Sequence, residues 1–425
     1  MSTEHLLVND LVVLGLGYVG LPLALEATRA GLTVRGLDVN ERVVADLNGG
    51  ISHIDDLSDD DISAMLAGGF TATCDASALR TADTIVICVP TPLSEDGGPD
   101  LGAVKAATSM IAENLKAGSL VVLESTTYPG TTEELVVPLL EKSGLRVGVD
   151  VNVAFSPERV DPGNPTYNVK NTPKIVGGIT TQCTKRAATF YRRFIDVVVP
   201  ARGTREAETA KLLENTFRHI NIALMNEMAR FCHELDIDLW NVIDLAKTKP
   251  FGFQAFYPGP GVGGHCIPID PNYLSHNVRS RLGYPFRFVE LAQEINATMP
   301  AYVVRRGQDL LNNAGKALNG ATVLLLGVTY KPDIADQRES PAVDLARHLK
   351  KMGASVQFHD PYVTKWLVGE HILTPVEDLQ SANAAADLVI LVQNHKYYPV
   401  DELAESAQLF FDTRGATSTD KAARL

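Results

Sequence analysis

Gly15-Leu16-Gly17-Tyr18-Val19-Gly20 constrains this chain more than any other stretch. The motif directly follows an apolar run at residues 11–14 and opens the helical pattern LPLALEATRA. A strand that turns on glycines into a helix lets the backbone approach a pyrophosphate closely at the helix N-terminus. Asp38 ends the next apolar run, roughly 20 residues on, where a carboxylate hydrogen-bonds adenosine ribose hydroxyls. The same carboxylate repels a 2′-phosphate, so the pattern predicts NAD over NADP. GxGxxG alone is weak; the strand, the helix and the acid around it make it specific. Gly15, Gly17, Tyr18, Val19 and Gly20 are thus the expected cofactor contacts. Arg42, close to Asp38, fits an adenine contact and a solvent-exposed helix charge equally.

The apolar runs at 11–14, 33–37, 84–89, 120–123 and 152–155 read as buried parallel strands with helical patterns between them. Residues 205–248 contain almost no Gly or Pro, and Ala210, Leu213, Phe217, Ile220, Leu224 and Met228 recur at the spacing of a long amphipathic helix. A turn-rich segment, FGFQAFYPGPGVGGHCIPIDP, interrupts this pattern, and helical spacing resumes near 287–312. A second strand–helix alternation starts with ATVLLLGV at Ala321, with a helix at 341–352 and strands at 355–358, 387–392 and 409–412. The fold class expected is α/β, with two Rossmann-like doubly wound domains joined by a helical connector. The boundaries fall at 1–200, 201–312 and 313–425.

A chain of 425 residues accommodates two or three such domains. Its net charge of −13 argues against a nucleic-acid partner. The cysteines, Cys74, Cys88, Cys183, Cys232 and Cys266, are scattered and form no CxxC pair, so neither a disulfide framework nor a metal site is expected. MSTEHLLVND lacks a basic n-region, and no apolar run reaches the roughly 20 residues of a membrane span. A cytoplasmic protein with no membrane partner is expected.

Further motifs fall where ligands of open α/β sheets bind, beyond strand ends. VICVPTP places Pro90 and Thr91 beyond one strand, and LESTTYPGTTEE places Glu124, Ser125 and Thr126 beyond another, so these loops are expected to line the nicotinamide side, with Pro90, Thr91 and Thr126 as cofactor contacts. Simple turn chemistry also accounts for Thr91 and Thr126. Glu158 in SPERVDPG is placed to act as a base or water activator, although a surface Glu is more often solvated. Lys211 and Asn215 are four apart and share a helix face, where they either snorkel or enter a site. Cys266 follows two glycines in GGHCIPIDP, which suits a nucleophile as well as a buried inert thiol. Adjacent side chains in extended backbone point apart, which disfavours a dyad with His265. Lys331 and Arg338, in GVTYKPDIADQRESP, are placed to hold an anionic ligand.

In this order, GLGYVGLP, CVPTP, ESTTYPGTTEE, SPERVDPGNP, AETAKLLENTFRHINIALMNE, FYPGPGVGGHCIPIDP and YKPDIADQRESP resemble the UDP-glucose/GDP-mannose dehydrogenase family. The resemblance implies an N-terminal NAD domain, a helical connector that makes a homodimer, and a C-terminal UDP domain. Cys266 matches the family's catalytic cysteine, and Lys211 and Asn215 the pair that steadies a developing oxyanion. Glu158 and Asp270 match acids associated with water activation and thioester hydrolysis, and Thr126 is counted with the catalytic residues. Lys331 and Arg338 match residues that hold the nucleotide sugar, and Arg159, Arg218, Tyr257 and Gly263 join that substrate side. UDP-glucose enzymes commonly read CLPKD after the cysteine, whereas this chain reads Cys266-Ile267-Pro268-Ile269-Asp270. That departure, with FYPGPG and NTFRHIN, resembles the branch acting on UDP-N-acetylhexosamines. UDP-glucose is the alternative substrate, and a non-catalytic dinucleotide-binding sensor the alternative of another class.

Overall fold

The computed structural model describes residues 9–94, 98–160, 164, 166–264 and 267–425. The chain divides into two compact units, one reaching to Glu214 and including Asn272–Arg281, the other made of Asn215–Pro271 and Leu282–Leu425.

The first unit is built on an eight-stranded sheet, β1 (Asn9–Leu14), β2 (Val34–Leu37), β3 (Thr71–Thr73), β4 (Ala82–Ile87), β5 (Leu120–Leu123), β6 (Asn152–Phe155), β7 (Lys174–Gly178) and β8 (Val198–Pro200). Its order is β3-β2-β1-β4-β5-β6-β7-β8, and every pairing is parallel except β6 with β7. Both faces are covered. Leu11, Val13, Val86 and Val122 pack in one core, while Val12, Leu14, Ile87 and Leu123 pack in the other. This is why these strands read as continuous apolar runs. The strand order reverses between β1 and β4, and such a switch point opens a crevice at the carboxyl ends of the strands.

The second unit carries a five-stranded parallel sheet, ordered β10-β9-β13-β14-β15. Its strands are β9 (Thr322–Leu326), β10 (Ser355–His359), β13 (Leu388–Leu391), β14 (Phe410–Asp412) and β15 (Ala422–Arg424), with a small hairpin of β11 (Trp366–Val368) and β12 (His371–Leu373). Burial again alternates, Val323 and Leu325 to one core, Leu324 and Leu326 to the other.

The 205–248 pattern is two helices, Thr204–Glu234 and Leu239–Ala246, with Asp236 between them in a left-handed conformation (φ 54°). The face buried along the first helix is not the expected apolar stripe. Leu213, Phe217 and Leu224 are 65%, 46% and 49% exposed, whereas Glu208, Lys211, Asn215, His219 and Asn226 are buried. Apolar spacing identifies the helix correctly, but it does not say whether the chain itself or another surface covers that face. A further helix, Asp270–Leu282, starts inside the end of the turn-rich segment and carries little apolar periodicity.

Candidate active site

The glycines of GLGYVG take three distinct roles in the first unit. Gly15 has φ +89°, and a Cβ there would lie 2.7 Å from the Cys88 carbonyl oxygen. A Cβ on Gly20 would lie 1.9 Å from the Gly15 carbonyl oxygen, so β1 and helix Gly20–Arg29 close up only on glycine. Gly17 meets nothing within 4 Å, leaving open space where a ligand backbone contact belongs. Asp38 ties this loop: its Oδ2 accepts the Leu16 N–H (3.0 Å) and its Oδ1 the Asn40 N–H (2.9 Å). A carboxylate at the end of β2 and an open glycine turn at a helix N-terminus together fit NAD. Arg42 lies on the exposed side of its helix and faces Asp46 at 3.7 Å. Tyr18 and Val19 are half-buried and pack against the sheet core.

At the ends of β4 and β5 the Thr91 hydroxyl donates to the Thr126 carbonyl (2.8 Å), and the Ser125 hydroxyl donates to the Val89 carbonyl (2.7 Å). Pro90 is exposed beside them. The Tyr273 hydroxyl also donates to the Thr91 carbonyl, so helix Asp270–Leu282 supplies a contact that strand-end reasoning does not reach.

Glu158 follows β6, half-buried. Its Oε1 accepts the N–H groups of Arg159 (2.7 Å) and Val160 (2.5 Å), which aims the carboxylate back over its own turn. Its carbonyl oxygen accepts a hydrogen bond from Lys211 Nζ at 2.5 Å. Arg159 does not stand alone: its guanidinium pairs with Glu214 at 2.7 Å and donates to the Pro173 carbonyl at 2.6 Å. Behind Glu158 lies a sealed group in which Glu124 meets Lys174 and Tyr191, two residues that the sequence reading misses. Lys174 Nζ is 3.1 Å from Glu124 and 3.9 Å from Glu158, and it stands 5.1 Å over the Tyr191 ring, whose hydroxyl donates to Glu124. Burial disfavours the Lys174 charge, but Glu124 and Glu158 outweigh it and raise its pKa. Burial pushes the Cys88 thiol and the Tyr191 phenol well up, so neither is a nucleophile at neutral pH. Lys174 lies on β7, a short strand with no motif to mark it.

In the second unit, Asn215 Nδ2 donates to Asp270 Oδ2 at 2.5 Å, both side chains buried. Farther along the same helix, Asn226 Oδ1 accepts the Gly259 N–H (2.9 Å) while its Nδ2 donates to Asn296 Oδ1 (2.9 Å), pinning the glycine-rich loop. His219, buried on the same face, has its pKa lowered to about 4 by desolvation, so it is neutral there. Gly263 and Gly264 lie against Tyr330: a Cβ on either would come within 2.8 Å of that side chain. Arg338 folds onto its neighbour Asp336 at 2.6 Å, and Lys331 lies in the same loop after β9. Tyr257 stacks on Trp240 with centroids 5.9 Å apart, and Arg218 is exposed. Cys266 and His265 lie outside the described residues.

Among the described residues no group of His, Cys, Asp or Glu is arranged to hold a metal, and no helix is long and apolar enough to cross a membrane. The chain matches three domain descriptions of the UDP-glucose/GDP-mannose dehydrogenase family: the NAD binding domain over residues 9–195, the central domain over 205–298 and the UDP binding domain over 324–419. It is 36% identical over 418 residues to a UDP-N-acetyl-D-glucosamine 6-dehydrogenase of Pseudomonas aeruginosa, covering 96% of this chain and 97% of that one. The solved structure of a UDP-D-ManNAc dehydrogenase from Pyrococcus horikoshii superposes with a TM-score of 0.86 at 34% identity, covering 95% of each chain. A UDP-glucose dehydrogenase structure from Pyrobaculum islandicum also reaches a TM-score of 0.86, at 29% identity over 100% of this chain and 98% of that one.

Proposed function

The chain belongs to the UDP-glucose/GDP-mannose dehydrogenase family and is an NAD-dependent nucleotide-sugar 6-dehydrogenase, and on that premise we propose that it oxidises a UDP-N-acetylhexosamine to its uronate through a thioester on Cys266. The observation that carries the substrate class is near full-length likeness to two proteins named for UDP-N-acetylhexosamines, one of glucosamine and one of mannosamine configuration. Ile269, where UDP-glucose enzymes commonly carry lysine, supports the same class. A UDP-glucose reading has the fold of the Pyrobaculum enzyme in its favour and is the second reading. A sensor without chemistry does not fit a chain of this family.

Gly15, Gly17, Gly20 and Asp38 hold the dinucleotide, with Thr91 and Thr126 toward its reactive end. NAD, when bound there, would supply a hydride acceptor, and two NAD molecules in succession would carry away the four electrons of the two oxidations. The Cys266 thiolate adds to the C6 aldehyde and forms the C–S bond of a thiohemiacetal. Lys211 supplies a buried cation whose Nζ is already oriented by the Glu158 carbonyl, and it stabilises both the thiolate and the thiohemiacetal oxyanion. One such donor is worth roughly 2.7–4 kcal/mol. Asn215, whose amide is turned by Asp270, supplies a neutral second donor. The second oxidation leaves a thioester, and Glu158 takes the proton of the water that cleaves it, restoring the thiol.

We assign residues 1–200 to NAD, 201–312 to the connector and 313–425 to the UDP-sugar, the last through Lys331 and Arg338, with Arg159, Arg218, Tyr257 and Gly263 on the substrate side. The exposed apolar stripe on helix Thr204–Glu234 supports a homodimer, since patches of this kind mark protein contacts. The free cysteines Cys74, Cys88, Cys183 and Cys232 fit a reducing cytoplasm.

A panel of UDP-N-acetylglucosamine, UDP-N-acetylmannosamine, UDP-N-acetylgalactosamine and UDP-glucose, with NADH absorbance as readout, tests the substrate class. A site that hydrogen-bonds the acetamido group leaves polar groups unpaired against UDP-glucose. One N-acetylhexosamine is expected to exceed UDP-glucose in kcat/KM by more than about tenfold. Equal or better turnover of UDP-glucose overturns the proposal in favour of the second reading.

A further inference from the structure

Three strand ends of the second unit's sheet meet at one buried histidine. His395 follows β13, Asp360 follows β10, and the loop 327–339 follows β9; His395 is 0% and Asp360 4% exposed. The Asp333 backbone N–H donates to His395 Nδ1 at 2.9 Å. That nitrogen is therefore an acceptor and carries no proton, so the proton of the neutral ring sits on Nε2, 3.0 Å from Asp360 Oδ2. Asp360 also accepts the N–H of Val328 (2.7 Å) and of Tyr362 (2.9 Å). Burial opposes the charge of Asp360, but the hydrogen bonds from His395, Val328 and Tyr362 outweigh it and hold its pKa low. The carboxylate thus fixes the ring tautomer, and the ring fixes the loop.

What the ring holds is a strained point. Asp333 has φ +63°, a conformation non-glycine residues rarely adopt, two residues from Lys331. The Lys396 N–H also clamps it, donating to Asp333 Oδ1 at 2.8 Å. The Thr329 hydroxyl donates to the Lys331 carbonyl at 2.8 Å, so the backbone on both sides of Lys331 is tied down. The same loop places Tyr330 against Gly263 and Gly264, on the segment that leads to Cys266.

We propose that His395 is a positioning residue for nucleotide binding: its Nδ1, by accepting the Asp333 N–H, holds the loop 327–339 in the conformation that presents Lys331 to the UDP moiety. This rests on the reading that the loop holds the nucleotide. Nothing in the proposal requires His395 to touch substrate.

Asparagine and glutamine separate the two ends of the ring. The Asn amide oxygen overlays Nδ1 and can still accept from Asp333; the Gln amide nitrogen overlays Nε2 and can still donate to Asp360. Both keep a polar side chain and avoid the cavity that alanine leaves. In the full-length protein, UDP binding measured by calorimetry is expected to fall about tenfold in His395→Gln, the loss of one buried hydrogen bond and its loop order, and to stay within about threefold of wild type in His395→Asn. KM for the nucleotide sugar should follow UDP affinity, while KM for NAD and kcat stay within about twofold. Lys331→Ala is the control on the loop. If it binds UDP as wild type does, the nucleotide reading of the loop fails and the inference with it. If Lys331→Ala weakens UDP but His395→Gln does not, the inference alone is overturned. The reverse order, with Gln retaining affinity and Asn losing it, assigns the effect to Asp360 and also overturns it. Equal losses of UDP and NAD affinity in both variants show a merely structural role and overturn it too.

Discussion

Lys174 Nζ sits 3.1 Å from Glu124 Oε2 inside the first unit, and both side chains are sealed from solvent. A buried pair of this kind contributes little beyond a well-packed apolar substitute, but breaking it leaves an uncompensated charge. Lys174→Met is expected to cost about 3–5 kcal/mol at neutral pH. Burial already raises the pKa of Glu124. The folded pKa of such a carboxyl lies above its unfolded value, so the stability linked to its neutral form is full at low pH and lost as pH rises through the folded pKa. The deficit of Lys174→Met should therefore shrink between pH 8 and pH 5. Lys174→Met/Glu124→Gln should recover most of it at pH 8. Denaturant melts at both pH values check this; a single mutant as stable as wild type at pH 8 contradicts it.

His219 gives a second, independent acid linkage. Desolvation lowers its pKa from an ordinary 6.5 to about 4. The unfolded chain therefore binds a proton below about pH 6.5 that the folded chain refuses, and stability falls as pH drops through this window. The full penalty is about 3 kcal/mol, reached near pH 4. His219→Gln should remove that share, so that the loss of unfolding free energy between pH 7.5 and pH 4.5 is about 2–3 kcal/mol smaller than in wild type. Identical pH slopes for the two proteins would show that His219 is not held neutral.

The strands were legible because both sheets are covered on both faces. β5 and β6 coincide with the apolar runs at 120–123 and 152–155, where successive residues alternate between the two cores. The short strands β3, β7 and β8 were not: β3 and β8 are three residues long with little burial, and β7 reads Lys-Ile-Val-Gly-Gly, whose lysine and glycines break up an apolar run. The GLGYVG turn was legible to the level of single glycines, because Gly15 and Gly20 answer to steric demands that any such turn imposes. Lys174, Tyr273, Asn226 and His395 were not legible. Each acts through a partner distant in sequence, 182 residues away for Tyr273 and Thr91, and nothing local marks it. The face of helix Thr204–Glu234 was misleading for a related reason. Its polar residues face inward to bind polar groups of other segments, Asn215 to Asp270 and Asn226 to the Gly259 backbone, and its apolar ones are left for another surface.

The covalent step gives the sharpest prediction. Cys266 is the only proposed nucleophile, so Cys266→Ala should leave NAD and UDP-sugar affinity within about twofold while conversion to the acid collapses, by analogy with the loss of about 10⁴-fold or more when a nucleophile is removed elsewhere. The first oxidation needs no C–S bond and is free to persist in part, so a little aldehyde and NADH should still form. Glu158→Gln isolates the later step. It keeps side-chain shape and one acceptor, but it removes the charge that takes the proton of the attacking water, while the Glu158 carbonyl that orients Lys211 is unchanged. Thioester formation should then outrun its hydrolysis. Intact-protein mass spectrometry after mixing with NAD and substrate should show an added glycosyl-nucleotide mass on Glu158→Gln, absent from Cys266→Ala/Glu158→Gln. Wild type should release two NADH per acid, because four electrons leave the C6 carbon. A Cys266→Ala enzyme that makes uronate at near wild-type rate, or an adduct that persists without Cys266, would end the covalent mechanism even with every other residue in its assigned role.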